Sequence, residues 1–383
     1  MTLDDVAGRG AYTDDHEAFR RTVRAFLQKE GVPNVGDWEA NRLVPREFWR
    51  KAGEIGMLCP TVPEEYGGLG LDFGYNAVVT EEMSYNGVPA GFSLQSDIVC
   101  DYIIAYGSEE QKRQWLPRLV SGETITAIAM TEPGTGSDLQ SIRTTAKKDG
   151  NHYVVSGSKT YITNGQNADL IVVVAKTDPN AGSKGISLIL VEANREGFKR
   201  GRNLDKIGLH ASDTSELFFD NVAVPPENLL GSEEGQGFVQ LMQQLPQERL
   251  ALAVGAVAAM ERAVKITAAY TKERTAFGKP LLEFQNTAFT LAERKTEAMI
   301  ARVFVDWCIE RLVAGDLDTV TASMAKYWCS DKQVQTADEC LQLFGGYGYM
   351  QEYPISRMFI DSRIQKIYGG TNEIMKLLIA RSL

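Results

Sequence analysis

Two short strings in the sequence combine glycines with hydroxyl side chains. The first runs Met130-Thr-Glu-Pro-Gly-Thr-Gly-Ser-Asp138, and the second runs Ile367-Tyr-Gly-Gly-Thr-Asn-Glu373. Glycine lets the backbone adopt a positive φ and approach a ligand, while Thr and Ser hydroxyls can bond a polar ring or a phosphate. On composition alone, a plain connection from a strand to a turn explains the first string better than a binding loop does.

A carboxylate that could remove a proton lies in the string Leu245-Pro-Gln-Glu-Arg-Leu250. Glu248 is the candidate general base of this string. A structural role competes with that one. If Pro246 is the first residue of a helix, Glu248 is the third, where a carboxylate commonly bonds free backbone N–H groups. A helix N-terminus would lower the pKa of Glu248, whereas burial under a bound ligand would raise it.

Three further strings contain residues that could hold a nucleotide or its ring. They are Lys159-Thr-Tyr-Ile-Thr-Asn-Gly165, Lys272-Glu-Arg-Thr-Ala-Phe-Gly-Lys279 and Leu341-Gln-Leu-Phe-Gly-Gly346. The planar guanidinium of Arg274 could match two phosphate oxygens at once. Taken alone, the first of the three is typical of an edge strand that closes in an Asn-Gly turn, and Arg274 of a solvated helix residue.

The composition indicates an ordinary enzyme-sized protein. The 383 residues are 44% hydrophobic, which is enough for two or three cores. A net charge of -10, with Lys and Arg spread along the chain, argues against a nucleic-acid-binding surface. No segment reaches the roughly 18 uninterrupted apolar residues of a membrane span. The acidic start has no basic segment followed by an apolar run, so we expect a cytoplasmic location.

Neither the cysteines nor the histidines indicate a metal site or a disulfide framework. The histidines lie far apart and show no His-x-x-x-His spacing, so no metal is expected. The five cysteines are an odd number without a Cys-x-x-Cys pair, and we expect them to be buried, inert thiols. The residues concerned are His16, His152, His210, Cys59, Cys100, Cys308, Cys329 and Cys340.

Hydrophobic patterning divides the chain into three regions. Helical spacing predicts a helical domain over 1–121. Short runs of β-branched and aromatic residues, separated by Asp, Asn, Gly and Pro, predict a β domain over 122–232. Long helical patterns return over 233–383, where 250–270 is apolar or small on nearly every face. We therefore expect the α+β class, with helices, strands and helices in that order.

The string Met130–Asp138 and the tail Ile367–Glu373 together resemble those of the acyl-CoA dehydrogenase family. The order of elements is similar to that family's fold over essentially the whole chain. The resemblance implies an N-terminal helical domain, a middle β-barrel-like domain and a C-terminal four-helix bundle. It also implies FAD as cofactor and a homotetramer built as a dimer of dimers, in which one protomer completes the nucleotide site of another.

The resemblance assigns roles to individual residues. Those implied in FAD binding are Met130, Thr131, Gly136, Ser137, Tyr161, Thr163, Arg274, Phe277, Gln342, Gly346, Thr371 and Glu373. Those implied in substrate binding are Ser137, Arg249, Tyr368 and Gly369. Within the first set, Arg274, Phe277, Gln342 and Gly346 would reach the nucleotide of the neighbouring protomer.

Gly369 stands where the commonest family members carry the catalytic Glu. Isovaleryl and long-chain types carry that Glu on the long helix of the last domain, and Glu248 is at the matching place in this chain. The resemblance therefore implies that Glu248 removes the proton. It also implies that the N–H of Gly369 bonds the thioester carbonyl, which stabilises the charge that forms there. The missing side chain is expected to leave room beside the flavin.

The implied reaction is a step of fatty-acid β-oxidation. A medium-chain, long-chain or branched acyl-CoA would become a trans-2-enoyl-CoA, and its electrons would pass to an electron-transfer flavoprotein. Two alternatives remain open. One is a flavin oxidase or monooxygenase on the same fold. The other is a non-catalytic, thioester-binding paralogue in which Glu248 only caps its helix.

Overall fold

The first region of the computed structural model, which describes residues 9–383, contains six α-helices. The first eight residues of the predicted domain 1–121 lie outside this description. A π-helical segment, Leu94–Val99, leads directly into the fifth helix. The six helices are α1 Asp14–Phe26, α2 Val35–Asn41, α3 Arg46–Glu54, α4 Phe73–Asn86, α5 Cys100–Tyr106 and α6 Glu109–Val120.

The second region is one mixed sheet of seven strands. Strands β4 and β5 are buried along nearly their whole length, which is why their sequences read as continuous apolar runs. The sheet order is β1-β4-β2-β3-β7-β6, with β5 paired to β4. The strands are β1 Thr126–Ala129, β2 Thr145–Asp149, β3 His152–Thr163, β4 Leu170–Lys176, β5 Ile186–Glu192, β6 Phe198–Asn203 and β7 Thr214–Val224.

Pairing in this sheet is antiparallel for β2 with β3, β3 with β7, β7 with β6 and β4 with β5, and parallel for β1 with β4. Strands β5 and β6 are not paired with each other in the described part of the chain, so the hydrogen-bonded ladder stays open. The domain expected to be barrel-like is thus a single open sheet.

The third region consists of three long and two short helices in the described chain. A small hairpin, with strands β8 Thr275–Ala276 and β9 Lys279–Pro280, separates the first two. The helices are α7 Gly237–Glu273, α8 Gln285–Val313, α9 Thr319–Phe344, α10 Pro354–Ser362 and α11 Asn372–Ala380.

Helix α7 packs closely against α4 of the first region. A Cβ added at Gly255 would lie 2.9 Å from the Ser84 hydroxyl, so glycine permits the close approach. Phe73 and Ala77 of α4 share one buried core with Leu250 and its neighbours on α7. The helix that carries Glu248 is therefore held in the interior, between the two helical regions.

A buried carboxylate links the two helical regions by charge. Arg9 and Arg20 donate to Glu81 at 2.7 and 2.6 Å, and Arg302 of α8 donates to it as well. Burial alone would raise the pKa of Glu81, but the three guanidinium groups outweigh burial and hold it well below its usual range. The carboxylate therefore stays charged and stabilises the contact between α4 and α8.

The cysteines agree with the sequence analysis. All five cysteines are buried and none is in a disulfide, which confirms the prediction of free, buried thiols. Across residues 9–383, the structure has no helix whose length and apolarity would let it cross a membrane.

Candidate active site and cofactor cleft

Glu248 lies in the interior of α7, about three turns after its start. The helix begins at Gly237 and continues through Pro246 to Glu273. The alternative in which Glu248 only caps its helix is therefore wrong, because a residue in a helix interior has no free N–H groups beside it. Pro246 is misleading because proline is common at the first helical position. Here it interrupts the hydrogen-bond ladder within a continuous helix.

The carboxylate of Glu248 is buried beside a tyrosine. The residue is 5% exposed, and the hydroxyl of Tyr102 donates to Oε1 at 2.9 Å. Burial raises the pKa of Glu248 to about 7, against the opposing effects of the Tyr102 hydrogen bond and the charge of Arg249. A carboxylate whose pKa lies near neutral pH is suited to take a proton from carbon.

Two more buried carboxylates lie next to this part of α7. Asn76 and Ser93 donate to the carboxylate of Asp97 at 2.7 and 2.5 Å, and burial raises its pKa to about 6. Burial, with the charges of Asp97 and Glu248, also raises the pKa of Asp101. The amide of Gln247 donates to the Asp101 carboxylate and, at 3.1 Å, to the Asp97 carbonyl. These bonds fix the turn of α7 that carries the candidate base.

Gly369 lies against the same face of α7. Its φ is +64°, and a Cβ added there would lie 2.4 Å from Cδ1 of Leu252. Leu252 follows Glu248 by one helical turn, so the two side chains share a face. The room expected at Gly369 is therefore taken up by Leu252, and any larger residue needs that leucine to turn away.

The tail loop, residues 368–372, is fastened to α9. The ammonium group of Lys326 donates to the Gly370 carbonyl at 2.6 Å and to Oδ1 of Asn372 at 3.0 Å. Thr371 caps α11, since its hydroxyl accepts from the N–H of Ile374 at 3.4 Å. The residues next to Lys326 in the sequence do not indicate that its side chain is buried, because a lysine in a helix is normally at the surface.

The other tail residues take different positions. Tyr368 is half-buried, and Glu373 is exposed in the first turn of α11. The roles of Thr371 and Glu373 in FAD binding, and that of Tyr368 in substrate binding, stay predictions.

Arg249 is buried between α7 and α9. It is 4% exposed, and its Nη1 donates to the hydroxyl of Ser323 at 3.1 Å. Its Nε has no partner in the described part of the chain. The guanidinium is thus directed into the interior beside the tail loop, and its predicted contact with substrate stays a prediction.

The end of β1 is pinned by a buried ion pair. Lys159 donates to the Met130 carbonyl at 2.9 Å and to Glu132 at 3.0 Å. The same carboxylate accepts from the N–H of Thr144 at 2.9 Å. Burial lowers the pKa of Lys159 to about 8, although Glu132 acts against this. Sequence reasoning assigns no role to Lys159 or Glu132, yet they position the predicted flavin contacts Met130 and Thr131.

Tyr161 stands out from β3 on an unusual backbone. Its φ is +60°, its side chain is 69% exposed, and the register between β3 and β7 shifts between Lys159 and Ile162. A positive φ in a residue with a side chain costs on the order of 1 kcal/mol, and such strain is often found at ligand sites. The N–H of Thr160 donates to the Thr131 carbonyl at 2.9 Å. The structure therefore joins Met130 and Thr131 to β3, the strand that carries the other two predicted ring contacts, Tyr161 and Thr163.

Other predicted cofactor residues line a cleft in the C-terminal domain. Arg274, Gln342 and Gly346 border a cavity of about 410 Å³, and the Arg274 guanidinium lies 5.5 Å from the centre of the Tyr347 ring. Phe277 is not among the lining residues. It sits at the tip of the β8–β9 hairpin with a φ of +51° and is 97% exposed.

The remaining candidates in the β domain are open to solvent. Gly136 and Ser137 are exposed in the loop after β1, and no heavy atom lies within 4 Å of a Cβ added at Gly136. Among residues 9–383, no three His, Cys, Asp or Glu side chains are grouped in a way that could hold a metal ion.

Family models match nearly the whole of this fold. The N-terminal domain of acyl-CoA dehydrogenase matches residues 13–123, the middle domain 127–222 and the C-terminal domain 235–383. The chain belongs to the acyl-CoA dehydrogenase family. Members of this family are FAD-dependent oxidoreductases that act on a CH–CH bond.

Individual relatives agree with this assignment. The chain is 50% identical, over its full length, to the mitochondrial long-chain specific acyl-CoA dehydrogenase of Sus scrofa, of which it covers 89%. Over 97% of its length it is 36% identical to the mitochondrial isovaleryl-CoA dehydrogenase of Oryza sativa subsp. japonica, of which it covers 92%. The crystal structure of an acyl-CoA dehydrogenase from Geobacillus kaustophilus superposes with a TM-score of 0.95 at 53% identity, covering 97% of this chain and 98% of that one.

The comparisons confirm four predictions made from the sequence. These are the family, the order of the three regions, the dependence on FAD and the dehydrogenation of an acyl-CoA. The oxidase and the non-catalytic paralogue are not favoured.

Proposed function

We propose that this acyl-CoA dehydrogenase prefers long-chain acyl-CoA and uses Glu248 as its catalytic base. The observation that carries the proposal is a buried carboxylate with a pKa of about 7, one helical turn from the leucine that Gly369 contacts. The 50% identity to a long-chain specific relative favours long chains over medium or branched ones. Branched chains are the second candidate, supported by the 36% identity to an isovaleryl-CoA dehydrogenase.

In the proposed reaction, Glu248 removes a proton from the α-carbon and holds it on its carboxylate. The electron pair of the broken C–H bond moves toward the thioester carbonyl, and the peptide N–H of Gly369 donates to that oxygen. When bound, FAD supplies the acceptor for the hydride that leaves the β-carbon. A double bond between the two carbons results, giving a trans-2-enoyl-CoA. Burial of Glu248 keeps water from competing for its hydrogen bonds.

The residues present fit FAD in two places. Arg274, with a planar guanidinium, borders a cleft in which Gly345 and Gly346 leave the backbone open to a ligand, since no heavy atom lies within 4 Å of a Cβ added at either. This combination suits a pyrophosphate. We assign Gln342 to the same nucleotide site. The exposed ring of Tyr161 offers a packing surface for the flavin, and we assign Met130, Thr131 and Thr163 to the same ring.

Substrate contacts outside the reacting carbons are proposed for three further residues. Ser137, exposed after β1, would meet the CoA part, and Gly136 would permit the approach of the cofactor phosphates. Tyr368 precedes the donor Gly369 and would border the thioester. Arg249 would contribute to substrate binding from the buried side of the tail loop.

Exposed apolar side chains in the C-terminal region also favour a homotetramer. Phe277 is 97% exposed, which is unusual for a phenylalanine, and α8 carries five more exposed apolar side chains. They are Phe289, Ile300, Val303, Trp307 and Val313. Light scattering on the FAD-loaded protein is expected to give four chains per particle, and a monomer with full FAD content would contradict the tetramer.

The electron acceptor is proposed to be an electron-transfer flavoprotein. The protein reduced by substrate should then reoxidise slowly in air and quickly when that flavoprotein is added. Fast peroxide formation in air would instead support the oxidase. A cytoplasmic location also remains a prediction, and fractionation of the native cells would test it.

Anaerobic titration with acyl-CoAs of graded length and branching tests the whole proposal. Loss of the visible absorbance of oxidised flavin is expected with long chains first. Glu248→Gln should bind FAD and acyl-CoA yet keep its colour. Glu273→Gln, the same change at an exposed position on the same helix, should behave like the wild type. Bleaching of Glu248→Gln at an undiminished rate would remove Glu248 as the base.

A further inference from the structure

Two buried cations face each other behind the tail loop. Lys326 on α9 is 0% exposed and Arg249 on α7 is 4% exposed. Arg249 donates to Ser323, which precedes Lys326 by three residues and so lies on the same face of α9. Within the described chain neither cation forms an ion pair, since Arg249 is bonded to a hydroxyl and Lys326 to a carbonyl and an amide oxygen.

Such an arrangement is unfavourable in the protein alone. Burial lowers the pKa of Lys326 to about 8, and the charge of Arg249 lowers it further, while Asp331 and Glu373 act in the opposite sense. Arg249 has in addition an Nε atom with no partner in the described chain. Buried charges are normally paired, so two neighbouring unpaired cations indicate that a negative charge is formed close to them during function.

Lys326 also determines the position of the tail-loop backbone. It is bonded to the Gly370 carbonyl at 2.6 Å and to Oδ1 of Asn372 at 3.0 Å. The amide of Asn372 donates in turn to Ser330 and Asp331 of α9, both at 2.9 Å. Two adjacent glycines would otherwise leave this loop free to change its backbone angles. The peptide of Gly369 is therefore held by contacts on its C-terminal side.

We propose that Lys326 is a positioning residue that holds the Gly369 peptide toward the thioester, and that Lys326 and Arg249 together supply positive charge opposite the enolate oxygen. The inference rests on the proposed role of Glu248. When the α C–H bond breaks, the proton goes to Glu248 and the electron pair to the thioester oxygen. The proton neutralises Glu248, whose charge acts on Arg249 in the resting protein, and the enolate oxygen then supplies the negative charge beside the two cations.

A substrate analogue isolates this step from the rest of the reaction. In a 3-thiaacyl-CoA, sulfur replaces the β-carbon, so the α C–H can ionise but no hydride can leave. The enolate beside oxidised FAD gives a long-wavelength charge-transfer band. The pH at which half of the bound analogue is ionised then reports how strongly the site favours the enolate.

Lys326→Met is expected to raise that pH by at least one unit, equivalent to about tenfold weaker ionisation, with FAD content unchanged. Lys326→Arg, which keeps the charge, should recover part of the shift. Lys332→Met, the same change on the same helix at a residue paired with Glu297, should leave the midpoint unchanged. A wild-type midpoint in FAD-loaded Lys326→Met would overturn the proposal.

A second variant covers the case in which Lys326→Met does not retain FAD. Arg249→Gln keeps a donor for Ser323 and removes the charge, and it should shift the midpoint in the same direction. An unshifted midpoint in that variant overturns the proposal equally. If the wild type gives neither the band nor bleaching by any acyl-CoA, the proposed function fails first. A normal wild-type band with unshifted variants refutes only the role of the cations.

Discussion

The active centre has a base side, formed by Glu248, Tyr102 and the tail loop, and a nucleotide side, formed by the cleft at Arg274. The two differ in how many of their groups a single chain supplies. Glu248 and Tyr102 are buried together, the half-buried tail loop lies against Leu252 one turn further along α7, and every group proposed for proton removal comes from the same chain. The nucleotide cleft, by contrast, is open, and the nearby Phe277 is 97% exposed. Proton removal therefore depends on a rigid interior, whereas retention of the nucleotide depends on the surface and, as proposed, on a neighbouring copy.

The largest effect on the reaction rate should come from removing the carboxylate at position 248 and introducing one at position 369. Glu248→Gly is expected to lower the rate of flavin reduction by about 10³-fold, within the range for loss of a general base. Adding Gly369→Glu should recover little, because Leu252 occupies the space and the backbone has a positive φ. Adding Leu252→Ala as well should recover more.

Stopped-flow reduction with one acyl-CoA checks the three variants, and Leu252→Ala alone is the control. A full recovery by Gly369→Glu without the leucine change would show that the loop is less constrained than its contacts indicate.

On the nucleotide side, Arg274→Ala should weaken FAD binding and spare the chemistry. Loss of a charge-assisted hydrogen bond to phosphate is expected to cost about 2 kcal/mol, or roughly thirtyfold in affinity. Flavin release on dilution measures the affinity, and reduction of the flavin that remains bound measures the chemistry. Arg311→Ala, at a half-buried arginine that pairs with Asp316, serves as the control. A fall in the reduction rate of bound flavin would contradict the separation of the two sides.

The pH dependence should distinguish the base side from the rest of the protein. Burial raises the pKa of Glu248 to about 7, so the carboxylate is protonated and inactive below that pH. The rate of flavin reduction at low substrate concentration should fall about tenfold per pH unit below 7 and level off above it. Stopped-flow measurements at low acyl-CoA concentration from pH 5.5 to about 8.5 would show this. A flat profile across neutral pH would mean that Glu248 is not the titrating base.

The smallest predicted effect concerns the hydrogen bond from Tyr102. Its hydroxyl favours the charged form of Glu248, so Tyr102→Phe should raise the pKa of the base by less than about one unit. Activity at pH 6 would fall a few-fold and recover at high pH. The midpoint of the same pH profile checks this, with Tyr106→Phe as a neighbouring control. A midpoint that moves to lower pH would reverse the assigned role of the hydroxyl.

The sequence predicts this molecule best where a residue type has a single common use. The β-branched runs of β4 and β5 and the apolar stretch of α7 appear as expected, because burial on all sides leaves no alternative pattern. Pro246 has two uses, and the more common one, at the first helical position, underlies the capping alternative, in which α7 would begin nine residues too late. The predicted domain limits stay predictions.

The supporting contacts of the site could not be predicted in the same way. Leu252 at Gly369, Lys326 at Gly370 and Lys159 at Met130 all join positions far apart in the sequence. A lysine in a helix or a strand carries no local sign of burial, and only the folded chain brings it to its carbonyl. Glu248 and Gly369 themselves were identified because each lies in a string long enough to resemble a family pattern.

The anchoring of the tail loop to α9 sets the time at which activity can first arise during synthesis. Glu248 leaves the ribosome well before Lys326, and Lys326 before Gly370, whose carbonyl it holds. A nascent chain that has completed the β domain and α7 therefore carries the base but lacks the Gly369 N–H that is proposed to bond the thioester carbonyl. Stalled or truncated chains that lack this loop are expected to be catalytically silent, whatever part of the fold they have reached.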